Sequence, residues 1–588
     1  NGGTVGGNVY GGHAASGATT GNTVNLGNGT TNAATTVTGT IYGGSGATDT
    51  DNVLNVNANA QAGNIKNFET IHFNFSHVNT SNPLLKLVNT YGEKTHLKSL
   101  NQLHVKNAPV GGGTLIENAH GIDVDDPADV GRTADKTETI IKKHTDGDKI
   151  IYRTYQFKNV TEKDTDGTAT WGGRSVIGNT TTKNKITLTG HHAGQDVYGG
   201  WTSGAGSTAT GTDAKNHSID NTITFNGAAT TDTVGNMFGG VTVSPGGNAT
   251  GNRAVLEKGK VTGSLTGGSV GTAGGDATGN FVDINGGNVI GATYGGSVGG
   301  SGKAEGNTVT VTNGTVNGDI YGAESTSGSA MGNKVYIKGG SASSSDVYGG
   351  KSASGDATGN EVTVTAGSVR NIDGGRTGSG NATGNTVNIG DGTSDYTGSI
   401  SGKINGGSGM TYGKDYMTGN TLNVYDNATA ANINNFAEIN FRFNEHMNKN
   451  ATFLTLSNTT GTTIRSLSDI NVHGAHAMKG ILLKNTSGVI NVLDGNDRFV
   501  KTMSDANKEF VFAKATDKIT YEGYSFAHQT APTSAPNGAD KYTWGGRSVI
   551  GNTTAKNRIT IDSGTHTNIY GGWTSGSGST VAVERRGD

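Results

Sequence analysis

Four tryptophans, Trp171, Trp201, Trp544 and Trp573, are the side chains best suited to hold a ligand by a ring face, and Arg174 and Arg547 stand close after two of them. An exposed indole would stack on a sugar ring with the guanidinium as polar partner, whereas a buried one would seal a joint; large aromatics more often pack than recognise. Carboxylates gather at Asp123, Asp125, Asp126 and Asp129 and again at Asp164 and Asp166. Their hard oxygens suit calcium, but the remaining ligand positions of a calcium loop are missing, so solvated acidic loops are expected. The histidines, His191 and His192 among them, show no metal-site spacing, and neither metal nor cofactor is expected. Arg586, Gly587 and Asp588 spell the tripeptide that integrins recognise in other proteins. A polysaccharide-processing enzyme would need paired carboxylates, or a base beside bound calcium, on one face of a scaffold. Thr, Asn, Ser and Gly flank the strand valines instead, and catalysis is not expected.

The elements that must carry these groups repeat. From Gly251 to Gly375 one phrase recurs: Gly-Asn, an alternating Val-rich run, Gly, then a second apolar run closing on Tyr-Gly-Gly or a variant. The Asn falls at Asn252, Asn280, Asn307, Asn333, Asn360 and Asn385, a period of about 25 to 28 residues that matches solenoid repeats. Apolar residues alternate with polar ones, as at Val309 and Val311 or Val335 and Ile337, which is the signature of strands with one face buried. A single rung cannot bury that face, but stacked copies share one core. The expected fold is all-β, a right-handed parallel β-helix or β-solenoid with two inserted β-rich modules. The six asparagines are expected to stack as a hydrogen-bonded ladder at one corner, where Asn and Gly also suit left-handed turns.

Composition agrees. With 588 residues, 99 glycines, 32% hydrophobic content and a formal charge of only -3, the chain is too periodic and too weakly charged to read as disordered. The absence of cysteine excludes disulfides and thiol chemistry. No Lys/Arg stripe offers a footprint for nucleic acid, and no apolar run reaches membrane-spanning length. The chain opens and ends in mid-pattern, so an export signal and any membrane anchor are expected outside it.

The pattern is itself duplicated. The stretch from Asn64 to Phe75 returns at Asn432 to Phe443, 368 positions later, and Trp171 to Asn179 returns letter for letter at Trp544 to Asn552. The expected organisation is solenoid rungs over 1–63, a β-rich module over 64–170, a solenoid array over 171–431, a second module over 432–543 and rungs again over 544–588.

Gly-Asn-Thr-Val rungs ending in Val/Ile-Tyr-Gly-Gly, followed by an Asn-Phe-x-x-Ile-x-Phe strand and a Leu-rich segment, resemble the passenger regions of large bacterial autotransporter adhesins secreted by the type V route. The resemblance implies an extracellular stalk, held at the bacterial outer membrane by an anchor outside this chain. Its partners would be a host-cell or bacterial surface receptor or a glycan, with self-association into a fibre as the alternative.

Overall fold

The computed structural model describes residues 2–560 and 568–576, apart from 90, 193, 205–215, 230, 273–274, 446, 449, 475–478, 504–506, 530–532 and 535–541. It is nearly all β, with 55% strand, and forms a β-solenoid of about 19 parallel-stacked turns. The chain divides into two compact units, one built from 1–164, 171–185 and 200–217, the other from 165–170, 186–199 and 218–588.

In the second unit the inward residues of successive rungs sit directly over one another. Val282, Val309, Val335, Val362 and Val387 pair in register along one face, all fully buried. Ile320, Val347, Ile372 and Ile404 do so along a second face, and Ala277, Ala304, Ala330 and Ala357 along a third. Each buried aliphatic side chain contributes about 1.5–3 kcal/mol, and stacking shares that gain between neighbours.

At the corner between two faces the asparagines form a continuous ladder. The backbone N–H and Nδ2 of Asn252 donate to Oδ1 of Asn280 at 2.9 and 3.0 Å, and the same pair of bonds links Asn280 to Asn307, Asn307 to Asn333, Asn333 to Asn360 and Asn360 to Asn385. Nδ2 of Asn307 also donates to the Ala277 carbonyl at 2.9 Å. These carboxamides are wholly buried with both donors and acceptors engaged, which is the condition for a polar group to reside in a core. The Gly-Gly pair follows from the ladder. A Cβ on Gly295 would strike the carbonyl of Gly322 on the next rung, and one on Gly296 would strike the Asn307 carboxamide.

On three successive rungs the residue before the Gly-Gly or Gly-Ala step is a tyrosine, and these rings stack, Tyr321 and Tyr348 being buried. Tyr294, Tyr321 and Tyr348 lie with ring centroids 4.9 Å apart and planes within 9°. Lys351 covers Tyr321 at 5.0 Å and pairs with Glu324 at 2.8 Å.

In the first unit the texture change near Asn64 is one of side-chain size before it is one of chain path. Parallel stacking continues through Ala60–Lys66, Leu85–Leu87 and Gly111–Asn118 on one face, and through Val53–Val56, Thr70–Asn74 and Leu103–Lys106 on another. The chain then turns antiparallel: Gly111–Asn118 pairs with Lys149–Gln156, which pairs with Thr137–Lys143, which pairs with Val130–Thr133. The second unit repeats this device. Lys479–Asn485 ends its parallel stack and pairs with the meander Lys518–Ser525, Lys508–Lys514 and Arg498–Met503.

Candidate functional site

The residues singled out for stacking chemistry gather into two matching clusters, one in each unit. In the first, the Arg174 guanidinium lies 4.0 Å from the Trp171 ring, 4.8 Å from Tyr155 and 5.6 Å from Trp201. In the second, Arg547 lies 4.2 Å from Trp544, 4.7 Å from Tyr524 and 5.2 Å from Trp573. Trp171 and Trp544 are each only 5% exposed, so their surfaces are spent on packing and on the cation. Trp201 and Trp573 are half-buried, as are Tyr155 and Tyr524, so these rings keep some surface open to a ligand.

The identical nonapeptide is explained by a partner that the sequence does not advertise. Glu138, on the middle strand of the first meander, is completely buried; its Oε1 accepts from Val176 N at 2.5 Å, and its Oε2 from Ser175 Oγ and Asn179 Nδ2, both at 2.7 Å. Glu509, in the second meander, is equally buried and accepts from Val549 N at 2.5 Å, Ser548 Oγ at 2.9 Å and Asn552 Nδ2 at 2.8 Å. Ser, Val and Asn of Trp-Gly-Gly-Arg-Ser-Val-Ile-Gly-Asn are therefore the receptor for one buried carboxylate, while Trp and Arg form the aromatic clamp beside it. Burial pushes the Glu138 carboxyl above the ordinary range, against the pull of the hydrogen-bond donors of Val176, Ser175, Asn179 and Ile177. The two glutamates stand in strands that otherwise share little, Thr-Glu-Thr-Ile-Ile against Lys-Glu-Phe-Val-Phe. The signal in the sequence was the invariance of the receptor, with no mark on its ligand.

The acidic residues have local partners. Asp123 pairs with Lys94 at 3.2 Å, Asp125 with His96 at 3.2 Å and Asp164 with Arg153 at 3.3 Å. Asp126 accepts from Ser99 Oγ, and Asp166 accepts from Thr168 N to close a turn. A cleft of about 240 Å³ opens beside Lys66, Lys94, His96 and Lys98, each of which lies against a carboxylate, of Glu93, Asp123, Asp125 and Glu69 respectively. Among the described residues, one group of three metal-capable side chains converges: His144, Asp146 and Asp148, whose ligand atoms lie within 4.8 Å of one another in a hairpin turn. His144 Nδ1 accepts from Asp146 N at 3.3 Å there and lies 3.2 Å from Asp146 Oδ2. His191 meets Thr233 across neighbouring rungs at 3.2 Å. Arg586, Gly587 and Asp588 lie outside the described residues.

A surface feature absent from the sequence reading stands on the solenoid of the second unit. Ser325, Ser352, Thr377 and Gly409 occupy one register, and the loops that follow the first three are made of Gly, Ser, Ala, Thr and Asp or Asn. The loop after Gly409 instead presents Met410, 81% exposed, and Tyr412, fully exposed. It is braced from within: Tyr416 Oη donates to Thr411 O at 2.8 Å and accepts from Thr411 N at 3.0 Å, and Asp415 accepts from Met417 N and Thr418 N at 2.9 Å. No protein-family model matches the sequence, and neither the curated proteins nor the solved structures contain a significant match.

Proposed function

We propose that this chain is a segment of a bacterial surface adhesin of the autotransporter type, a stalk that presents recognition loops to a receptor or glycan and has no catalytic role. The observation that carries this reading is the braced loop with Met410 and Tyr412. Met410 and Tyr412 put two large side chains close together in water, where a partner would bury them, and a loop ordered in advance loses little entropy on binding. Tyr and Met are also among the residue types enriched where proteins recognise one another. The supporting scaffold is a solenoid held by a buried, hydrogen-bonded asparagine ladder, so the outer loops can vary without cost to the core. The half-buried Trp201 and Trp573 offer a second, weaker surface for a sugar ring.

The test is binding of the purified chain to cell monolayers and to a glycan array, with Tyr412→Ala and Trp201→Ala/Trp573→Ala compared with wild type. Loss of binding on Tyr412→Ala at an unchanged melting temperature is expected. Unchanged binding would remove this loop from recognition, filaments seen by electron microscopy without any binding would favour a structural fibre, and turnover of a polysaccharide would overturn the non-enzymatic reading.

A further inference from the structure

The outward columns that run from the solenoid rungs into the two modules correspond, and they differ in the last two side chains and in the cap. In the second module Asn423 Nδ2 donates to Asn388 Oδ1 at 2.8 Å, Asn440 Nδ2 to Asn423 Oδ1 at 3.1 Å, and Asn471 Nδ2 to Asn440 Oδ1 at 2.9 Å. Lys501, from the first strand of the meander, caps the column by donating to Asn471 Oδ1 and, at 3.3 Å, to the Ser468 carbonyl. In the first module Asn55 Nδ2 donates to Asn25 Oδ1 at 2.7 Å, but the next two positions are His72 and His104, in register on neighbouring parallel strands with ring centroids 5.1 Å apart. The cap is now Arg132, on the first strand of its own meander, whose Nη2 donates to the carbonyls of Asn101 at 2.6 Å and Leu103 at 3.2 Å.

We propose that His72, His104 and Arg132 form an acid-sensitive latch that holds the first meander at neutral pH and loosens it on acidification, while the asparagine version holds the second meander at either pH. A carboxamide column is neutral at every pH and carries its own donors and acceptors, so a lysine or arginine can close it without repulsion. The two imidazoles, tilted by 38° with His72 on the solvent side, lie beside a guanidinium; protonated, they would place three positive charges at one end of the column, which repel one another. Burial already holds both rings below the ordinary histidine value, and Arg132 and His72 add to the effect on His104. The fold thus binds fewer protons here than the unfolded chain does, so its stability falls as pH drops below the ordinary value of 6.5. The charged or titratable groups that act on His104 are Arg132 from the meander and His72 from the neighbouring strand, and Lys106 stands two residues beyond His104 on its own strand. In the second module His473, at the position of Lys106, faces Asn440 Oδ1 at 3.3 Å, an acceptor that a protonated ring still satisfies.

Hydrogen exchange by mass spectrometry on the full chain, at about pH 7.5 and about pH 5.5 with rates corrected for intrinsic exchange, tests the latch. Amides of 130–143 are expected to lose protection several-fold in wild type relative to His72→Asn/His104→Asn at the lower pH and to match it at the higher, with 498–514 alike in both chains. The opposing graft, Asn440→His/Asn471→His, is expected to give 498–514 the same acid loss. Equal protection of 130–143 in wild type and the double asparagine variant at both pH values, or a graft that creates no pH dependence, would overturn the proposal.

Discussion

The carboxamide of Asn307 makes four hydrogen bonds at one buried point: it accepts two from Asn280 and donates one to Ala277 and one to Asn333. Replacement by Leu takes the acceptor from the Asn280 N–H and from one of the two Asn280 Nδ2 hydrogens, the other still reaching the Ala249 carbonyl. At about 1–3 kcal/mol for each abandoned buried donor, the expected loss is about 2–6 kcal/mol. Because a repeat array need not unfold as one unit, the loss is best read by hydrogen exchange at rungs 280–360 together with the melting temperature. An unchanged melting temperature and unchanged exchange would mean the ladder bonds contribute nothing. The Gly-Gly punctuation that marks each rung in the sequence belongs to the same scale: Gly296 is glycine because the Asn307 carboxamide occupies the space a Cβ would need.

At the scale of elements, each antiparallel meander is fastened by a buried glutamate to the strand and turn that carry the nonapeptide. Glu138 has its folded-state value raised by burial, so the fold binds its proton more tightly than the unfolded chain does. The stability linked to this group is therefore greatest below the ordinary carboxyl value of 4.5 and declines as pH rises through the higher folded-state value. This sign is opposite to that of His72 and His104, and it is isolated in the His72→Asn/His104→Asn chain, where protection of 137–143 is expected to rise on acidification through that window. Glu138→Gln, which puts an amide N–H against a site made of donors, is expected to abolish the rise and to cost roughly 1–3 kcal/mol at neutral pH. A rise that persisted in the glutamine variant would assign it to another group.

At the scale of the whole molecule, contacts run from rung to neighbouring rung, and stability is a sum of rung and interface terms. Asn307 and Asn333 are 26 residues apart and adjacent on the ladder. Deleting 307–332 removes one whole rung and brings Asn333 to the place of Asn307, with the Val, Ile and Ala columns restored in register. The shortened chain is expected to fold with an unchanged far-ultraviolet spectrum and a similar melting temperature. Deleting only 307–319 breaks all columns at once and is expected to aggregate or lose its cooperative melt. Equal behaviour of the two deletions would contradict rung-wise stacking.

The solenoid was readable from the chain because its causes are local and repeated: period-two Val, Gly-Asn at a fixed interval, and Gly-Gly where two backbones approach. The duplication was readable for the same reason, down to the nine identical letters around Trp171 and Trp544. What those letters do was not, since their partner is a single glutamate in a strand that otherwise diverged. The burial of Trp171 and Trp544, the exposure of Met410 and Tyr412, and the meeting of His72, His104 and Arg132 were likewise decided by tertiary structure alone. Periodicity announces which side chains share a column, whereas contacts between differently folded stretches depend on chain path, and chain path leaves no spacing to read.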